Sequence, residues 1–136
     1  MPPNLQNVDH VHVHVANRAA AQTWYAEVLN FKPIPELEFW ATNSSEPLTI
    51  ANPAGTIRLA LFEQVLQPCR STIAFGATAT EFLAWRAHLA QILGTPIDIF
   101  DHEVTWSLYF SDPDGNPFEI TTHDYATVAR AMQSPE

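Results

Sequence analysis

Val8-Asp9-His10-Val11-His12-Val13-His14-Val15 runs through Ala16-Asn17 into Arg18-Ala19-Ala20-Ala21-Gln22-Thr23-Trp24-Tyr25-Ala26-Glu27-Val28-Leu29, and this stretch decides the reading of the chain. Side chains of an extended strand alternate between faces. The first segment therefore lines one surface with three imidazoles and the other with valines, and such a strand builds a site as well as a core. In the second segment Ala21, Trp24, Tyr25, Val28 and Leu29 recur at the spacing of one helical face, behind Asn17 as a plausible N-cap. A strand thus leads directly into an amphipathic helix over Arg18–Leu29.

Working outward, short strands are expected at Phe31–Pro35, Glu38–Thr42, Leu48–Ala51 and Thr56–Phe62, separated by prolines and by the Asn52-Pro53-Ala54-Gly55 turn. A second pass begins at Thr72-Ile73-Ala74-Phe75-Gly76. Thr78-Ala79-Thr80-Glu81 matches a capping box, and Phe82, Trp85, Leu89 and Ile92 mark the buried stripe of a helix ending near Gly94. Strands at Pro96–Phe100, Thr105–Phe110 and Phe118–Thr122 follow, with a helix over Asp124–Met132 and a link at Leu66–Ser71 between the halves. Asp112-Pro113-Asp114-Gly115 has the composition of a tight turn and lacks the ligand series of a calcium loop. The fold class is α+β: two tandem β-α-β-β-β modules, about 7–65 and 70–123, forming a curved sheet around a central pocket in a single domain over 1–136. The first strand of each half is expected to meet the last strand of a partner half.

Composition sets the outer limits. The chain of 136 residues is 46% hydrophobic and 11% aromatic, which fits a globular protein. Fifteen acidic residues against six basic ones give a formal charge of −9, which argues against nucleic acid and anionic membrane as partners. No run of eighteen apolar residues and no charged-then-apolar leader stands at Met1-Pro2-Pro3-Asn4, so a cytoplasmic protein is expected. Cys69 is the single cysteine and so cannot form an internal disulfide. Apart from Arg70 nothing around it points to a lowered thiol pKa, and an inert role is expected.

Asp9-His10-Val11 ahead of Trp24-Tyr25-Ala26-Glu27-Val28-Leu29, then Ile73-Ala74-Phe75-Gly76, then Tyr109-Phe110-Ser111-Asp112-Pro113-Asp114-Gly115-Asn116-Pro117-Phe118-Glu119-Ile120 together resemble the vicinal oxygen chelate superfamily. That superfamily includes glyoxalase I, extradiol dioxygenases, fosfomycin-resistance thiol transferases and bleomycin-resistance proteins. The second half is most similar to the fosfomycin-resistance thiol transferases. The resemblance implies a divalent metal held by His10 and Glu119. It also implies that two further ligand positions are changed: a histidine is replaced by Thr72, and a glutamate falls on Ala60 or, two residues away, on Arg58. Glu63 has the wrong parity to substitute without a bulge.

One histidine and one carboxylate rarely hold a catalytic ion, since such sites usually take three protein ligands. His12, His14, His102 and His123 are candidates for the third. Neighbours of the i, i+2 kind lie roughly 6.5–7 Å apart along a strand, so two such imidazoles reach one ion only by leaning together. Three readings follow. In the first, a glyoxalase-like small-molecule enzyme with lyase, isomerase, dioxygenase or thiol-transferase chemistry uses Zn, Ni, Mn, Fe or Mg as Lewis acid. His12, His14 and Tyr109 serve proton transfer, and Arg58, Thr72, Trp106 and Ser107 contact substrate. In the second, the metal is absent and the pocket sequesters a cationic aromatic guest in the manner of bleomycin-resistance proteins, with Trp40 and Trp106 as stacking partners. In the third, the histidines act as acid and base without metal. The resemblance further implies a homodimer. A phosphonate-gripping cluster of lysines and arginines is not evident, and fosfomycin resistance is not expected.

Overall fold

Val13 and Val15 are buried while the alternating His12 and His14 are exposed, so the opening segment is the amphipathic strand its alternation predicts. The protein is described by a computed structural model covering residues 1–64 and 71–133. Cys69, Arg70 and all of the Leu66–Ser71 link except Ser71 lie outside the described residues. The chain divides into two compact units, Met1–Gln67 and Pro68–Glu136.

In the first unit β1 (Val11–Val15) leads into α1 (Arg18–Leu29), then β2 (Lys32–Pro33), a 3-10 segment (Pro35–Thr42), β3 (Leu48–Ala51) and β4 (Arg58–Glu63). Asn17 caps α1, its Oδ1 accepting from the Ala20 N–H at 2.9 Å. Asn30 ends the helix in the left-handed region at φ 59°, a conformation asparagine tolerates better than most residues. The sheet order is β1-β4-β3-β2. β1 runs parallel to β4, and β3 antiparallel to β4.

One face of this sheet carries Val13, Val15, Leu59, Leu61 and Ile50. Together with Tyr25, Val28 and Leu29 of α1 these residues form the core. Each large side chain removed from water here stabilises the fold by about 1.5–3 kcal/mol. Glu63 lies on the same side, where its Oε2 accepts from the Arg18 N–H at 2.8 Å. The parity argument is thereby upheld: Glu63 serves the start of α1.

The second unit repeats the plan with β5 (Ile73–Gly76), α2 (Ala79–Leu93), β6 (Phe100–Asp101), β7 (Trp106–Ser111), β8 (Pro117–Thr122) and α3 (Tyr125–Gln133), in sheet order β5-β8-β7-β6. The capping box at Thr78 and Glu81 is formed in both directions, and Gly94 closes α2 at φ 70°. Ala79, Phe82 and Leu89 are buried on α2, but Ile92 is exposed at the last turn. Asp112 binds the turn that follows it, accepting from the N–H groups of Asp114 and Asn116 at 2.9 Å each.

The structure corrects four readings. Glu38–Thr42 is no strand but part of the 3-10 segment, opened by Pro35 with Glu36 and Glu38 in its first turn. The strand expected over Pro96–Phe100 shrinks to Phe100–Asp101. Val8–His10 precede β1 rather than belong to it, because the ladder begins at Val11 opposite Leu59. The first strand of each half pairs with the last strand of its own half, β1 with β4 and β5 with β8.

Candidate functional site

The face of the first sheet turned away from α1 carries the histidines. His12 stands beside Ala60 of β4, and Ala60 beside Thr49 of β3, so these three side chains form one row. Two residues toward the start of β4 is Arg58, and two toward its end is Phe62. Above them the 3-10 segment and the turn after it supply Leu37, Trp40, Glu46 and Pro47. Together with Asp9 and His10 these residues enclose a cleft of about 330 Å³.

The wall is held from outside by Arg18, whose guanidinium donates to the carbonyls of Ala41 (2.8 Å), Asn43 (3.4 Å) and Glu46. An arginine at the first position of α1 thus secures the segment that presents Trp40 and Glu46. Ala60, where the resemblance places a metal-ligating glutamate, offers only a methyl group to the floor. His14 lies outside the cleft lining, with its ring centroid 6.0 Å from that of Phe62.

His10 and His12 are the chemical centre of this cleft. Their rings stack with centroids 5.0 Å apart and planes inclined by 23°, bringing the two Nε2 atoms to 3.1 Å. The strand rise alone would keep them further apart, but His10 precedes the first ladder pair and its ring is free to turn toward His12. Asp9 Oδ2 sits 2.8 Å from His10 Nδ1. When Asp9 accepts the Nδ1 proton, His10 presents a bare Nε2 lone pair to His12, and His12 must supply the single proton between them. Asp9 and His10 are both exposed, so the pair adds little stability, under ~1 kcal/mol, and acts mainly to fix a tautomer and a ring orientation.

Replacing the shared proton by a cation lets both lone pairs donate. The two Nε2 atoms, 3.1 Å apart, would be the donors to such an ion. A carboxylate on the far nitrogen of a ligating histidine is the usual outer support of such a ligand. These residues fit a divalent ion as a two-nitrogen donor pair. Within neither unit do three or more His, Cys, Asp or Glu side chains gather in a metal-holding group, among the described residues.

The second unit presents its own polar face. Tyr109 of β7 lies opposite Glu119 of β8, and Ser107 opposite Thr121. Ser107 is buried, and its hydroxyl donates to Glu119 Oε2 at 2.7 Å. Thr121 Oγ1 lies 3.1 Å from Ser107 Oγ and 3.2 Å from the Trp106 carbonyl. Tyr109 is exposed, with its hydroxyl 3.0 Å from His102 Nε2. Thr72 is exposed just before β5, and His123 is exposed just after β8.

Trp106 stacks on Tyr125 with centroids 5.4 Å apart and donates its indole N–H to the Tyr125 carbonyl. The Tyr125 hydroxyl donates to Asp101 Oδ2 at 2.7 Å. That bond, followed by the Glu103 N–H, holds the Asp101 carboxyl below the usual carboxylate range. The same bond first, then burial, raises Tyr125 above the usual phenol value.

Sequence reasoning picked out His10, His12, Arg58 and Trp40, which the first unit does bring to one cleft, and Ser107, Tyr109 and Glu119, which share one face of the second sheet. It missed Asp9 as the partner of His10, although the two are adjacent in sequence. It also missed Leu37, Glu46 and Thr49 as walls.

The family model for the Glyoxalase/Bleomycin resistance protein/Dioxygenase superfamily matches residues 7–120. The chain belongs to that superfamily. No curated protein matches it. Among solved structures, a glyoxalase-family protein from Bacillus anthracis is 22% identical, covers 91% of this chain and 100% of its own, and superposes with a TM-score of 0.73. The fosfomycin resistance protein FosX from Listeria monocytogenes is 17% identical over 92% of this chain and 99% of its own, with a TM-score of 0.67. A glyoxylase/bleomycin resistance protein/dioxygenase domain from Frankia is 20% identical over 88% and 93%, with a TM-score of 0.69. At these identities the likeness establishes the fold. No helix among the described residues is long and apolar enough to cross a membrane.

Proposed function

We propose that the protein is a glyoxalase-type enzyme that uses a divalent metal to act on a small oxygen-bearing substrate. The observation that carries this reading is the approach of His10 and His12 Nε2 atoms to 3.1 Å, with Asp9 behind His10. On this reading His12 serves as a ligand beside His10. A bound ion would supply Lewis acidity toward a carbonyl or a vicinal oxygen pair. Within the first unit Asp9 would fix the His10 tautomer and Arg58 would face negative charge on the substrate, and Tyr109 keeps the proton-transfer role that the sequence suggests for it. Glu119 is kept as a proposed ligand on the family resemblance. A FosX structure that holds Mn(II) and sulfate supports the metal reading by analogy. The homodimer implied by the resemblance belongs to the same proposal and is open to sedimentation analysis.

Isothermal titration with Mn(II), Ni(II) and Zn(II) tests the metal assignment. His10→Ala and His12→Ala are each expected to weaken the best-bound ion by at least about tenfold, as loss of a ligand does more damage than loss of a ligand's support. Glu119→Gln tests the carboxylate separately. Wild-type affinity in His12→Ala would refute the two-histidine pair. No uptake of any of the three ions by wild type would instead favour the metal-free binding protein.

A further inference from the structure

The first-unit cleft contains a cation that the fold does not use. The chain has six basic residues, of which Arg70 lies outside the described set. Arg18 spends its guanidinium on the carbonyls of the cleft wall, Arg86 on the Ile97 carbonyl and Met132 Sδ, and Arg130 on Thr127 Oγ1. Lys32 belongs to a separate hollow bounded by Asn30, Pro35 and Gly55. Arg58 alone among the described guanidinium groups has neither a hydrogen-bond nor an ion-pair partner among the described residues, although the protein carries a net charge of −9 and Glu46 lines the same cleft. An unengaged arginine in an acidic protein is a specific attraction for an anion, and its planar fork matches a carboxylate.

We propose that the first-unit cleft binds a small monocarboxylic acid with a flat apolar body, the carboxylate on Arg58 and the body against Trp40, Leu37 and Phe62. This deepens the functional reading above by naming the substrate class, and rests on it for taking this cleft as the substrate site. The cleft volume of about 330 Å³ is at the low end for small-molecule sites and suits a small guest. A single guanidinium balances one negative charge. Asp9 and Glu46 on the same lining repel a second, so a phosphonate or phosphate dianion is disfavoured. The carboxylate would be held at the start of β4, on the face that also carries the His10–His12 pair.

Binding of benzoate, phenylacetate and phenylpyruvate at millimolar concentration, followed by 1H–15N NMR of the full chain with and without a chelator, tests the proposal. At least one acid is expected to saturate with shifts at Trp40 and Arg58, whether or not chelator is present. Its neutral amide should bind at least about tenfold more weakly. Arg58→Gln should abolish that acid-over-amide preference, and Arg58→Lys should restore it only in part. Equal binding of acid and amide, an unchanged preference in Arg58→Gln, phenylphosphonate binding as tightly as the acids, or no saturable shift from any of the three acids each overturns the proposal. Persistence in chelator separates this result from the metal reading, since acid binding can succeed where metal uptake fails.

Discussion

Replacing Arg18 by Gln should loosen the cleft wall while leaving the sheet beneath it intact. The guanidinium donates to the carbonyls of Ala41 at 2.8 Å and of Glu46, and makes a third, long bond of 3.4 Å to Asn43. A hydrogen bond to a charged donor contributes about 1.5–3 kcal/mol. Counting the first two bonds, and discounting the exposed one, gives ~2–4 kcal/mol of local stability. At about 1.4 kcal/mol per decade that is a roughly 30- to 1,000-fold increase in local opening. Amide hydrogen exchange reads it directly at Asn43 and Glu46, whose N–H groups donate to the Trp40 and Asn43 carbonyls within this segment. Leu59 and Leu61 in β4 should exchange at wild-type rates, because the Arg18 N–H to Glu63 bond is a backbone donor that the substitution keeps. Unchanged exchange at Asn43 and Glu46 in Arg18→Gln would refute the idea that this side chain holds Trp40 and Glu46 in place.

Tyr125→Phe should alter the pH dependence of stability at both ends. Asp101 is lowered chiefly by the Tyr125 hydroxyl, so its contribution is present above the ordinary carboxylate range and is lost as pH falls through the lowered folded value, below about 4. Tyr125 is raised by the same bond, so its contribution is present below about pH 10 and is lost as pH rises through the raised value. The difference in urea midpoint between wild type and Tyr125→Phe should be flat from about pH 5 to 9 and shrink on either side; a pH-independent difference contradicts the assignment. Thr78→Ala removes the hydroxyl that accepts from the Glu81 N–H at 3.2 Å and should cost about 1 kcal/mol in chemical denaturation. A loss below the error of the measurement would show that the capping box does not support α2. Ser107→Ala leaves Glu119 Oε2 without its 2.7 Å donor and should lower stability by about 1.5–3 kcal/mol. An unchanged midpoint would show that another donor replaces it.

Much of the fold was legible because its local signals agree with one another. Asn17 and the Ala21–Leu29 stripe place α1, Thr78 and Gly94 bound α2, and Pro47 and the Asn52–Gly55 turn isolate β3 and β4. Glu38-Phe39-Trp40-Ala41-Thr42 misled because its aromatics and threonine favour a strand, whereas its conformation is fixed from a distance by the Arg18 guanidinium. Such a bond spans more than twenty residues of sequence and leaves no local trace. β6 shortened for a similar reason: only Phe100 and Asp101 find partners, in Ser107 and Trp106, along β7. Strand partnership was also beyond local reading, since alternation reports which face a residue takes and not which neighbour the strand acquires.

The candidate site shows the same division. Parity put His12 and His14 on one face of β1 and Glu63 on the other, and the register of β1 with β4 agrees, whereas His10 lies before the ladder. Parity cannot say that His10 and His12 meet, because regular strand geometry separates them. They meet because the ladder ends at Val11, leaving His10 free to rotate, and because Asp9 gives its Nδ1 a partner once it has done so. The functional consequence comes from that local end of regular structure. A longer β1 would hold three evenly spaced imidazoles, whereas the observed one holds a converged pair at the mouth of a cleft and leaves His14 outside it. In the proposed site a cation on the two lone pairs and an anion on Arg58 would have complementary charge and share one face of one sheet. Such an arrangement favours a substrate whose carboxylate and reactive oxygen lie close together.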